Sequence, residues 1–247
     1  MDWAQAAADG VRGKAHAPSR VAALPFSGSH AAMLLLAAKC TVHSTQRPDL
    51  GHLPSRALMA WMLLDGREGV AKDRDGAFEL VEEGARLGCH HRQGVMAVCY
   101  FDGCGCELDW ERSLELARES SGKGSRYGQH ALGQLQLYYY GARGVAVDYA
   151  QAYALFRRAA AQNLGVAQLS LGYLYEGRGV AQGYAEAHRL FQLAAAQGHP
   201  QALFNVAAYH ELGPGVRKNK AAAIRWYRRA QAAGHSDAAG ELQRLRA

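Results

Sequence analysis

The sequence predicts an all-α solenoid of about five helix-turn-helix repeats with helical caps at its ends. Three observations carry that expectation. A Gly–hydrophobic pair recurs at Gly69–Val70, Gly105–Cys106, Gly144–Val145, Gly179–Val180 and Gly215–Val216, with steps of 36, 39, 35 and 36 residues. Apolar and small residues then fall in columns at offsets of three and four, the spacing of one helix face. Each helical stretch ends on a residue that tolerates the left-handed conformation. A fixed period of this size marks units that bury their apolar faces only by stacking on one another.

In chain order, residues 1–53 are an irregular N-terminal segment. Ser27 or Ser29 could cap a helix through Ala38, ahead of a polar loop with Pro48, and 1–20 reads as a tail. The array runs over 54–234. Its first helix carries Ala57, Trp61, Met62 and Leu64. Four residues after each Gly–Val pair stand Asp73, Asp109, Asp148, Gly183 and Asn219. These are N-cap types, so an outer helix should begin after each. Along it run four columns of one apolar stripe: Ala77, Ser113, Ala152, Ala187, Ala223; then Leu80, Leu116, Leu155, Leu190, Trp226; then Val81, Ala117, Phe156, Phe191, Tyr227; then Gly84, Ser120, Ala159, Ala194, Ala230. Gly88, Gly124, Asn163, Gly198 and Gly234 should stop these helices. A second, inner helix follows each stop, as in Ala167 to Tyr175, with counterparts at Met96 to Tyr100, Leu132 to Leu135 and Ala202 to His210. Residues 235–247 read as a C-terminal capping helix, with Ala238, Leu242 and Leu245 inward.

The runs Leu171-Gly-Tyr-Leu-Tyr-Glu-Gly-Arg-Gly-Val180 and Ala187-His-Arg-Leu-Phe-Gln-Leu-Ala-Ala-Ala-Gln-Gly198 resemble the Sel-1-like repeat family, relatives of tetratricopeptide repeats. The resemblance spans Pro54 to Gly234. Repeat one lacks the Leu-Gly pair, repeat two has Cys106 for Val, and repeat three has a turn-sized insertion around Leu137-Tyr-Tyr-Tyr-Gly141. The resemblance implies a right-handed α–α superhelix that serves as an adaptor or scaffold for protein complexes, with no catalytic residues to transfer.

Net charge is +6, with a pI near 9.1. Residues 201–247 hold eight basic and three acidic side chains, a net of +5. Such an end attracts an acidic protein or nucleic acid, or is simply a solvated face. The longest apolar run, Ala31 to Ala38, falls well short of the ~20 residues that span a bilayer. No N-x-[ST] site occurs, and Asp2 and Asp9 do not suit an acid-poor transit peptide. The default compartment is the cytoplasm, with organellar targeting open.

Motifs for chemistry are weak. Cys89, His90, His91, Cys99, Cys104 and Cys106 lie within 18 residues, as zinc ligands might, yet Cys104-x-Cys106 has the wrong spacing and Cys99 occupies a core column. Zinc, a local disulfide and free thiols are the alternatives, with free thiols favoured. Ser120-Ser121-Gly122-Lys123 has S-x-x-K spacing without a K-T-G or S-D-N partner, and its serines fill helix-packing columns. Gly122-Lys123-Gly124 lacks the rest of a phosphate loop, and His210-Glu211 lacks a second His.

The expected function is therefore non-enzymatic, without a cofactor: a scaffold that binds protein or peptide through its concave face and ends. A structural subunit whose basic end meets an acidic protein or nucleic acid is the alternative, and a penicillin-interacting hydrolase the third. Candidate contacts are Tyr138, Tyr139 and Tyr140 in the insertion, Tyr173 and the column Gln93, Gln129, Gln168 on the inner helices, with a structural hydrogen-bonding role the alternative for the glutamines, and Arg217, Lys218 and Lys220 at the basic end.

Overall fold

A computed structural model describes residues 53–66, 70–142, 146–177 and 181–246, with the side chains at 53–55, 139–142 and 246 outside the described set. The expected N-terminal cap and Cys40 lie outside the described residues, as do the glycines at 69, 144 and 179. Among the described residues there are eleven helices and no strand. They are α1 (Leu53–Asp65), α2 (Arg74–Arg86), α3 (His90–Asp102), α4 (Trp110–Gly122), α5 (Arg126–Ala142), α6 (Tyr149–Ala161), α7 (Gly165–Tyr175), α8 (Tyr184–Ala196), α9 (Pro200–Leu212), α10 (Lys220–Ala232) and α11 (Ala238–Arg246).

Each odd-numbered helix up to α9 pairs with the helix that follows, giving five repeats of inner and outer helix, and α11 closes the stack. The architecture is an all-α helical repeat solenoid. Inner helices α1, α3 and α5 pack directly on one another. The approach is tightest between α3 and α5. A Cβ on Gly94 would sit 2.5 Å from the backbone nitrogen of Gly128, so only glycine lets the two backbones meet.

Local chemistry explains the period. The side chains of Asp73, Asp109, Asp148 and Asn219 each accept a hydrogen bond from the backbone N–H three residues on, at 2.8–2.9 Å, and Gly183 takes the same place without a side chain. The backbone N–H of four of these caps reaches back to the inner helix: Asp73 to Leu63 O, Asp109 to Tyr100 O, Gly183 to Tyr175 O and Asn219 to His210 O. That bond fixes the return loop. At the other end Gly88, Gly124, Asn163, Gly198 and Gly234 all have positive φ. The residue after each donates to the carbonyl of the small-residue column, Cys89 to Gly84 O through His235 to Ala230 O, which is a Schellman closure repeated five times.

The recurrent glycine has two reasons at the positions described. Gly105 and Gly215 sit at φ +69 and +67. A Cβ on either would fall 2.7 Å from the backbone at the start of the preceding outer helix, at Arg74 O and Ala185 N. The loop thus lies flat on the previous repeat.

The Ala77, Val81 and Gly84 columns are buried throughout, while the Leu80 column is buried at Leu155 and Leu190 and half-buried at Leu80, Leu116 and Trp226. Ring contacts join neighbours in the stack, such as Phe191 with Tyr173 at 5.4 Å and with Tyr209 at 5.5 Å. Arg244 ties α11 to α9 through Glu211, whose other oxygen accepts from the Tyr227 hydroxyl at 3.0 Å.

Candidate functional site

The insertion in repeat three is one helical turn. Helix α5 has 17 residues, against 11 to 13 in its inner counterparts. Tyr138 is the thirteenth residue of α5, at the last position of a regular 13-residue inner helix and ahead of the added turn, and it is 55% exposed. Its ring lies 6.1 Å from Phe101 at the end of α3, and Phe101 stacks at 6.1 Å on Trp110 at the start of α4. The Trp110 indole N–H donates to Phe101 O at 3.1 Å and holds the stack in place. Leu108, in the loop between them, is 58% exposed. Tyr138 is therefore the outer member of an aromatic platform whose other members sequence reasoning missed. Phe101 and Trp110 meet only through the α3–α4 loop, and no column position marks them. The side chains of Tyr139 and Tyr140 lie outside the described residues.

The three inner glutamines sit elsewhere than at the surface. Gln93, Gln129 and Gln168 are buried. Gln129 accepts from Gln162 Nε2 and Gln168 from Gln197 Nε2, each at 2.9 Å. These bonds connect an inner helix to the end of the outer helix in its repeat, so the glutamines join helices together. Tyr173 is half-buried on α7, and its hydroxyl accepts from Asn205 Nδ2 at 3.0 Å. Gln201 donates through Nε2 to Asn205 and accepts on Oε1 at 3.1 Å from Nε2 of the His235 ring, which stacks on Phe204 at 4.2 Å. A polar row thus lines the inner surface of repeats four and five. Arg217 and Lys218, in the loop before α10, and Lys220, its first residue, are all exposed.

The residues that might do chemistry are engaged in packing. Ser113 and Ser120 are buried, and their hydroxyls donate to Ala97 O at 2.7 Å and His90 O at 2.5 Å. This satisfies two hydroxyls in columns that elsewhere hold alanine or glycine, and it engages the Ser120 hydroxyl with the backbone. His91 Nδ1 lies 3.3 Å from Ser125 Oγ, but Ser125 is fully buried at the start of α5. Burial, with the nearby His90 and Arg126, holds His91 down at about 4, and burial holds His130 down at about 3. Both imidazoles are neutral structural rings at pH 7. Cys89, Cys99 and Cys104 are buried, Cys106 is half-buried, and none of the four is in a disulfide. Burial raises the Cys99 thiol far above its ordinary value and pushes Cys106 up to about 11. Among the described residues no three His, Cys, Asp or Glu side chains converge as a metal cage. An open groove of about 590 Å³ lies between outer helices α4 and α6, floored by Leu132 and Gln136 of α5 and edged by Arg118 and Arg158.

The Sel1 repeat pattern matches residues 54–89, 126–164, 165–199 and 200–235, more than half of the chain, and the chain belongs to the Sel1 repeat family. Residues 90–125 fall between the matched stretches, yet α3 and α4 pair there as the other repeats do. Their serine hydroxyls and Cys106 replace the usual apolar residues without changing the backbone. Among solved structures, a Sel1 repeat protein from Oxalobacter formigenes is similar over 87% of each chain, with 24% identity and a TM-score of 0.58. A Sel1 repeat protein from Klebsiella pneumoniae shares 18% identity over 85% of this chain and 99% of its own, with a TM-score of 0.51. The immunity protein Pa5087 from Pseudomonas aeruginosa shares 19% identity over 81% of this chain and 72% of its own, with a TM-score of 0.50. At these identities the likeness is one of fold. No curated protein matches the chain by sequence. Sel1 repeat proteins are typically protein-interaction scaffolds. No helix among the described residues is long and apolar enough to cross a membrane.

Proposed function

We propose that the chain is a non-catalytic scaffold that holds a protein or peptide, with the Phe101–Trp110–Tyr138 platform as its principal anchor. The observation that carries this is Tyr138 itself, 55% exposed at the end of the regular register of α5 and set over the Phe101–Trp110 stack. Supported aromatics at a partly desolvated surface carry most of the energy in protein contacts. Tyr139 and Tyr140 follow on the same turn and belong to the same proposed contact. The inner surface, with Tyr173 and Asn205, continues it, and Arg217, Lys218 and Lys220 add salt-dependent attraction toward an acidic partner. The buried glutamines stay part of the array.

The test is site-specific photo-crosslinking in the native cell from position 138 and from Ala154, which is exposed on an outer helix. A discrete adduct from 138 and none from 154 supports the platform. The identified partner should then bind the Tyr138→Ala protein ~5–150-fold more weakly, the range of an anchor worth about 1–3 kcal/mol. Equal binding, or an adduct from 154 alone, refutes it.

A further inference from the structure

The outer helices carry a charge gradient that runs the length of the array. Six residues after each N-cap the exposed column reads Glu79, Glu115, Ala154, Arg189, Arg225. Ten residues after the cap it reads Glu83, Glu119, Arg158, Leu193, Arg229, again all exposed. Two and nine residues after the cap, repeat one adds Asp75 and Glu82, while repeat five adds Ala221 and Arg228. The same four positions of one helix face therefore hold four acids in repeat one and three arginines in repeat five. In the sequence at large, 73–123 has eleven acidic and six basic side chains, a net of −5, and 201–247 has a net of +5.

Some of these charges pair locally. Glu82 meets Arg86 at 2.6 Å, Glu119 meets Lys123 at 2.7 Å, and Arg229 lies over the Trp226 ring at 4.3 Å. Glu79 and Glu115 at one end, and Arg225 and Arg228 at the other, make no ion pair among the described residues. They cannot find each other within one chain. Packed helices lie about 10 Å apart, so four repeats separate α2 from α10 by roughly 40 Å, several screening lengths at physiological salt. Complementary faces built on the same helical positions, at opposite ends of a rigid stack, can pair only between molecules.

We infer that the partner of this face is a second copy of the chain, with the acidic outer face of α2 and α4 in one copy against the basic outer face of α10 in the other. Both halves of the complement are present on one sequence, with side chains at the same i, i+3 and i+4 spacing. A nucleic acid or an anionic membrane would use the basic end and be repelled by the acidic one. The contact involves neither Phe101, Trp110 nor Tyr138, so it stands or falls apart from the proposed scaffold role.

The experiment is a charge exchange on the full-length protein, read as mass by light scattering and sedimentation. The parent should associate at an ionic strength of ~20 mM and lose at least ~10-fold in association constant by ~300 mM, because exposed pairs are screened over that range. Glu79→Lys with Glu115→Lys, and separately Arg225→Glu with Arg228→Glu, should each abolish self-association. An equimolar mixture of the two variants should form a mixed complex. All four reversals in one chain should restore association to within ~3-fold of the parent. Circular dichroism on each variant confirms that these surface changes leave the helices intact. A parent that stays monomeric at low salt overturns the inference. So do variants that associate as the parent does, a mixture that does not form a complex, or a doubling of mass only when nucleic acid is added.

Discussion

Gly172→Ala should destabilise the array, while Gly122→Ala in the same chain should stabilise it. Gly172 lies in the middle of α7, and a Cβ there would stand 2.4, 2.8 and 3.0 Å from three atoms of the Phe191 ring. Ordinary carbon contacts need ~3.5–4.0 Å, so the ring would have to move by more than about 1 Å. It has nowhere to go, because Phe191 is fully buried with Tyr173 and Tyr209 against it. Overpacking of this kind costs roughly 1–3 kcal/mol, and the better helix propensity of alanine offsets about 1 of that. The net loss is up to about 2 kcal/mol. Gly122 ends α4 with nothing within 4 Å of a new Cβ, so only the propensity gain of up to ~1 kcal/mol remains. Urea unfolding of the full-length variants, followed by circular dichroism, reads both. Adding Phe191→Leu to Gly172→Ala should recover part of the loss, a coupling that a propensity effect would not show. A Gly172→Ala protein as stable as the parent, or a double variant whose losses simply add, would refute the account of the Gly–Phe contact.

Removing an N-cap should loosen its outer helix: Asp148→Ala loses the 2.8 Å bond to Gln151 N–H and should cost about 1 kcal/mol in the same urea assay, with Asp148→Asn close to the parent. Acid should weaken the fold through its buried imidazoles. His91 and His130 titrate below their ordinary value when folded, so from pH 6.5 down toward 4 the unfolded chain takes up protons that the native one refuses. Each histidine then removes up to about 1.4 kcal/mol of stability per pH unit, with nothing lost above pH 7, and His91→Gln should flatten the slope measured by denaturation at stepped pH. Thiol labelling near pH ~7.5 should mark Cys106 before Cys99, because Cys99 is fully buried and its thiolate is suppressed, and mass spectrometry after a urea pulse should then find both labelled. Equal native rates would contradict that burial.

Much of the fold was legible in the sequence because the repeat writes the same local chemistry several times. Asp73, Asp109, Asp148 and Asn219 announce a helix start by their type, and Gly88 and Asn163 announce a stop by the conformation they tolerate. Repetition of the column removed the ambiguity that any one of them carries. The turn-sized insertion was legible as a break in the period. The surroundings of Tyr138 were not, because its partners come from α3 and the start of α4, and nothing in the spacing brings Phe101 and Trp110 under it. The glutamine column shows the converse. Gln129 and Gln168 look like polar residues on a binding surface, and the register alone does not reveal that Gln162 and Gln197 reach across to them. The charge gradient was in the sequence throughout, but only the column register turns scattered acids and bases into one ladder along the outer face.

The most direct test of the central claim, an interaction scaffold anchored on the aromatic platform, is hydrogen exchange on the full-length chain with and without its crosslinked partner. Binding should slow exchange at the end of α3, in the loop through Leu108, at the start of α4 and in the last turn of α5, with the middle of α8 and α10 unchanged. Protection that spares 101–110 and the last turn of α5, or that falls on the outer helices alone, would contradict it.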